Sequence, residues 1–175
     1  MDLIKNFINL FLEVWNEGIL GIDIFRILVG LGIFLIFILF RGLVSKVIIR
    51  RLEKIAKKTS NKLDDAFVKA MEGPARFFPI VIGFFIASYY LEFGSESQQW
   101  IDNLNRTLVT VLIFWLLHQF IEPVSYLLTG LDKVLTRELI GWITKSLKIL
   151  IIILGAAAVL ELWGIKIGPI IAGLG

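Results

Sequence analysis

Four stretches of this chain are apolar and long enough to cross, or nearly cross, a lipid bilayer. They run from Ile24 to Val44, Phe77 to Phe93, Thr107 to Leu128 and Ile143 to Trp163. About 20 residues of α-helix cover a hydrocarbon core of ~30 Å, and helix satisfies every backbone group within the segment itself. Composition points the same way: 57% of the 175 residues are hydrophobic and the mean hydropathy is +0.83. A soluble domain of this length has too little interior for that much apolar surface. The expected fold is an all-α membrane protein with four transmembrane helices in two hairpins. The first hairpin occupies residues 22–93, an outer loop 94–105 and the second hairpin 106–163.

The charges near these spans fit the assignment. Arg26 lies near the start of the first, and Lys145 and Lys148 near the start of the fourth, where long stems reach the interface. Pro79 falls in the first turns of the second span, where a missing N–H costs least. Residues 1–21 differ in kind. Lys5, Asn9, Glu13, Asn16 and Glu17 recur three or four apart, with Ile4, Phe7, Ile8, Phe11, Leu12 and Trp15 between them. That period predicts an amphipathic helix in the membrane interface, ending near Gly18 and Gly21. The start lacks a basic n-region and a small-residue cleavage site, so no cleaved signal peptide is expected. There is no cysteine to report a redox compartment.

Fourteen of the eighteen Lys and Arg residues fall in two segments, Arg41 to Arg76 and Thr129 to Lys148. The positive-inside rule then places both in the cytoplasm and the N-terminus outside. Trp15, Trp100 and Trp163 all come out at the outer interface, as an aromatic belt requires. In "KVIIRRLEKIAKK" the cations Lys46, Arg50, Arg51, Lys54, Lys57 and Lys58 are interleaved with apolar residues. They hold the loop inside, and such a helix also lies against anionic headgroups, each cation contributing about 1 kcal/mol near the surface. "TSNKLDDAFVKAMEGP" predicts a turn capped by Ser60 or Asn61 and a short helix that Gly73-Pro74 breaks. "TGLDKVLTRELIGWITKSLK" is basic and amphipathic in the same way and feeds the fourth span. The two hairpins run in the same sense, unlike the inverted repeats of many transporters.

Side chains for chemistry are few. His118 is the single histidine, four residues before Glu122 on the same helix face, close to Gln119. The pair could relay a proton, but an interhelical hydrogen bond is the plainer expectation. Ser88, Tyr89 and Tyr90 have no activating partner in sequence, and no glycine-rich phosphate loop is present. No enzyme, cofactor, metal site or nucleic-acid partner is expected. Gly30 and Gly32, and the run Gly155 to Ala158, predict close helix packing.

Residues 164–175 are expected to form an outer turn and the start of a fifth helix. Gly168-Pro169 would open it, with proline at the first helical position, and Ala172, Gly173 and Gly175 would give it a small-residue face. Two turns do not span a membrane, so the helix is expected to continue.

"LELWGIKIGPIIAGLG" resembles the entrance to the pore-lining helix of the small-conductance mechanosensitive channel (MscS-like) family. "NKLDDAFVKAMEGPARFFPIVIGFFIASYY" looks like the elbow and following helix of members with extra membrane helices. The resemblance implies a homo-oligomer, commonly a heptamer, in the inner (plasma) membrane. The last membrane helix would line a pore, beginning here at Gly168, Pro169, Ala172, Gly173 and Gly175. The preceding helices would sense tension, and opening would release solutes on hypo-osmotic shock. Two other readings compete: a non-conducting membrane scaffold or lipid-binding module, and a proton-coupled transporter using His118 and Glu122.

Overall fold

The computed structural model describes residues 3–9, 22–56, 62–128 and 136–174. Every regular element among them is helical: α1 (residues 3–9), α2 (Ile24–Ala56), α3 (Lys62–Leu91), α4 (Ser95–Leu128), α5 (Arg137–Leu162) and α6 (Ile167–Leu174). The protein is an all-α membrane protein, and α2 to α5 each contain a window long and apolar enough to cross a bilayer. The interface helix expected over 1–21 is described only in α1; Trp15, Gly18 and Gly21 lie outside the described residues.

Side-chain caps set two of the starts. Asp23 precedes α2, and its carboxylate accepts from the Phe25 N–H at 3.0 Å. Thr136 precedes α5, and its hydroxyl accepts from the Leu139 N–H at 3.4 Å. Each satisfies one of the backbone donors that a helix leaves open at its start. α2 and α4 are longer than the apolar stretches within them. α2 continues from Val44 through the basic segment to Ala56, and α4 starts at Ser95, well before Thr107. Lys, Arg, Glu, Leu and Ile in 46–56 are all compatible with helix, so nothing stops it at the edge of the apolar run. At 33 residues, α2 is about 50 Å long and overshoots a hydrocarbon core by several turns.

One expectation is overturned in α3. Gly73-Pro74 does not break it, and both Pro74 and Pro79 lie inside one continuous helix. Each removes a backbone hydrogen bond, a cost of about 3 kcal/mol in an exposed helix. Packing offsets that cost here: the two prolines are the largest fully buried side chains among the described residues.

The four long helices pack mainly on their neighbours in sequence, α2 on α3, α3 on α4 and α4 on α5. They form a row rather than a closed bundle. In α3, 39% of the membrane-length window is buried, against 6% in α2 and in α5. α3 is therefore the spine of the row, while the flanks keep most of their surface for lipid or other chains. α2 and α3 pack tightly where Gly83 faces Phe37, and a Cβ at position 83 would overlap the Phe37 side chain. Lipid tails are as apolar as leucine, so close backbone approach supplies much of the attraction between membrane helices. Of the glycines expected at packing surfaces, Gly30 is buried against Leu91 and Gly155 against Phe114, whereas Gly32 faces open space.

The row has two chemically distinct ends. Asp23, Glu92, Asp102 and Trp163 lie at the acidic end, near the α3–α4 and α5–α6 turns. Arg50, Lys54 and Lys145 lie at the basic end.

Candidate functional site

The turn from α5 into α6 is built by one glycine. Gly164 adopts φ 81°, a left-handed backbone that side chains with a Cβ disfavour. Its N–H donates to the Glu161 carbonyl at 3.0 Å, and the next N–H, of Ile165, reaches back to the Leu160 carbonyl at 3.0 Å. These are the two bonds of a Schellman termination. They reverse the chain so that α6 starts at Ile167. Pro169 is thus the third residue of α6 rather than the first, still within the turn whose N–H groups have no helical acceptor. Gly168, Pro169, Ala172 and Gly173 are all exposed, and neither Gly168 nor Gly173 has an atom of another element near enough to crowd a Cβ. Gly175 lies outside the described residues.

Four contacts hold the acidic end together. The Trp163 indole Nε1–H donates to the Thr107 hydroxyl at 3.1 Å, and the Trp163 and Trp100 rings lie 5.4 Å apart. This ties the end of α5, just before the α6 turn, to α4. The Asn105 amide donates to the buried Ser88 hydroxyl at 2.9 Å, joining α4 to α3. The Arg26 guanidinium meets the Glu92 carboxylate at 3.1 Å, joining α2 to the α3–α4 turn. Glu92 has φ 46°, uncommon for a residue with a Cβ. Ser88, which has no partner legible in sequence, is thus a structural hydrogen-bonding group: it also donates to the Phe85 carbonyl at 3.0 Å.

At the basic end one interhelical side-chain bond joins the described residues. The Lys148 ammonium on α5 donates to the Glu122 carboxylate on α4 at 2.9 Å. Glu122 therefore has Lys148 as its interhelical partner. Among the described residues no hydrogen bond joins it to His118; the bond Glu122 makes is interhelical, as the plainer sequence reading expects, and the alternative relay pair is not seen. His118 is half-buried and lines an apolar recess with Phe114, Trp115 and Gly155 between α4 and α5. Of the basic run, Lys46, Arg50, Arg51 and Lys54 lie exposed on the last turns of α2, while Lys57 and Lys58 lie outside the described residues.

Beside this run, α2 and α3 part around a groove of about 790 Å³. Its apolar wall includes Leu39, Phe77, Ile80 and the Trp115 ring of α4, which seats on Gly73; a Cβ at Gly73 would come within 3.0 Å of that ring. Arg41, Lys46, Arg50 and Arg76 bring cations to it, and Glu53 and Glu72 bring acids. In sequence, Arg41 and Arg76 count only toward topology, and Trp115 reads as one more apolar residue of a span. Their shared groove depends on how α2, α3 and α4 pack.

An uncharacterised MscS family protein of Aquifex aeolicus is 26% identical over 170 residues, covering 94% of this chain and 45% of that protein. The uncharacterised MscS family protein YhdY of Bacillus subtilis is 24% identical over 157 residues, covering 87% of this chain and 42% of its own length. The chain is thus similar to MscS family proteins over nearly its whole length. It spans less than half the length of these curated relatives. No protein-family model matches it, and no solved structure does. The run that carries the family resemblance in sequence includes the Gly164 turn and α6.

Proposed function

We propose that this chain is the membrane-tension-sensing region of a mechanosensitive channel that releases solutes on hypo-osmotic shock. The observation that carries the reading is the similarity to MscS family proteins over nearly the whole chain. Tension favours whichever state occupies more area in the membrane plane, so a sensor must change its footprint between states. A row of helices with lipid-accessible flanks, held at one end and parted at the other, can do this by splaying at the basic end. The Trp163–Thr107 bond would carry the movement of α4 to the α5–α6 turn, and from there to a pore helix beginning at Gly168, Pro169, Ala172 and Gly173. In this reading the protein is a homo-oligomer, a heptamer as is common in the family, in a bacterial inner membrane. The N-terminus and acidic end face outward, and Lys46, Arg50, Arg51, Lys54, Lys57 and Lys58 meet anionic headgroups inside.

Suction applied to patches of vesicles holding the full-length protein is the direct test. Openings that begin at a reproducible tension are expected; silence up to rupture of the patch would leave a membrane scaffold. Orientation has its own check, because the chain lacks cysteine. A single cysteine at Gly94 is expected to react with an impermeant maleimide added outside intact cells, and one at Lys54 only after lysis.

A further inference from the structure

We infer that the groove between α2 and α3 at the basic end is a binding site for one acidic phospholipid. Its phosphate would meet Arg41 and Arg76, and an acyl chain would run along Trp115. The inference rests on the membrane reading above and gives the headgroup contacts a bounded site in place of a diffuse charged surface.

Three observations carry it. The first is charge. Four cations and two acids line the groove, a formal excess of two positive charges. Among the described residues the ion pairs are Arg26–Glu92 and Lys148–Glu122, so none of the groove's cations is neutralised by an acid of the same groove. The second is shape and polarity together. Along α2 the cations Arg41, Lys46 and Arg50 follow Leu39 toward the basic end, and along α3 Arg76 lies on the basic-end side of Phe77 and Ile80, so the apolar wall continues from the cations toward the other end of the row. That gradient suits an amphiphile rather than a free ion. The third is Ser45, on the groove wall, which is 4% exposed. Among the described residues its hydroxyl has no hydrogen-bond partner, and a buried hydroxyl without one is costly. A headgroup oxygen would supply that partner. Glu53 and Glu72 add a preference within the class: hydroxyls of a glycerol headgroup can donate to them while the phosphate takes the arginines.

The test uses the full-length protein in phosphatidylcholine vesicles containing a minor fraction of phosphatidylglycerol brominated on its acyl chains. Quenching of Trp115 is read as the difference between the wild type and Trp115→Phe. We expect brominated phosphatidylglycerol to occupy the site about fivefold more readily than brominated phosphatidylethanolamine, the preference that one additional cation contact near a surface supplies. Arg41→Gln combined with Arg76→Gln should abolish the preference, whereas Arg106→Gln, near the other end of α4, should leave it intact. A milder loss is expected for Ser45→Ala. Equal quenching by the two lipids, or a preference that survives the double substitution, would overturn the site. So would inorganic phosphate displacing the lipid at millimolar concentration, since the groove would then serve a soluble anion. Native mass spectrometry of the unaltered protein gives a reading that needs no variant: one phosphatidylglycerol retained per chain supports the site, and none overturns it. Patch recordings separate this from the channel reading. Tension-gated current without lipid preference sinks the site alone, and lipid preference without current sinks the channel alone.

Discussion

The acidic and basic ends of the same four helices are fastened in different ways. At the acidic end, α2 is joined to the α3–α4 turn, α3 to α4 and α4 to α5, by Arg26–Glu92, Ser88–Asn105 and Thr107–Trp163. At the basic end α4 and α5 share Lys148–Glu122, while α2 and α3 part around a groove. Apolar runs make both ends membrane helices; among the described residues, polar contacts from within and beside the helices link them in turn at the acidic end.

That contrast can be broken by substitution, and the largest effect is expected where two helices pack tightly. Gly83→Ala places a methyl group against Phe37 and should destabilise the protein by about 2 kcal/mol despite alanine's better helix propensity. Gly42→Ala, in the groove with nothing near it, is expected to be neutral or to stabilise by up to about 1 kcal/mol. Unfolding midpoints in mixed micelles compare the two, and equal losses would remove the distinction between a closed and an open part of the α2–α3 contact.

Next comes Trp163→Phe, which keeps a ring beside Trp100 but loses the bond to Thr107. A loss of about 1 kcal/mol is expected, and a double-mutant cycle with Thr107→Val should show the two changes to be non-additive. Lys148→Gln should cost about 0.5 kcal/mol, and this contribution should shrink in high salt, because the Glu122 side chain is 60% exposed. The smallest change is expected from Arg26→Gln. Its partner Glu92 is 72% exposed, so the melting midpoint should move by no more than replicate scatter. A larger shift there would mean that the acidic end is pinned mainly by its ion pair rather than by its buried polar and aromatic contacts.

How much of this was legible beforehand depended on the range of the interaction. The four spans follow from local hydropathy, and each matches part of a long helix, the second and fourth overrunning its end by two residues and one. The roles of Trp100 and Trp163 were half legible: both share the acidic end, but their mutual contact and the Thr107 bond join residues far apart in sequence. Pro74 misled because helix propensity describes an isolated helix, whereas here burial between neighbours outweighs the lost bond. For Glu122 an interhelical hydrogen bond was expected and is found, but its partner was not legible. Its neighbour on the same helix was His118, but its bonding partner, Lys148, comes from α5. The groove was least legible, since α2, α3 and α4 each contribute residues to it.

The two prolines of α3 also bear on stiffness. A helix resists bending largely through its ladder of backbone hydrogen bonds, and Pro74 and Pro79 each leave a rung out near the Gly73 seat of Trp115. The most buried helix in the row thus has an interrupted ladder, and the interruption lies beside the groove rather than at the acidic end. Flexure imposed on the row would concentrate there, much as a leaf spring bends where it has been thinned.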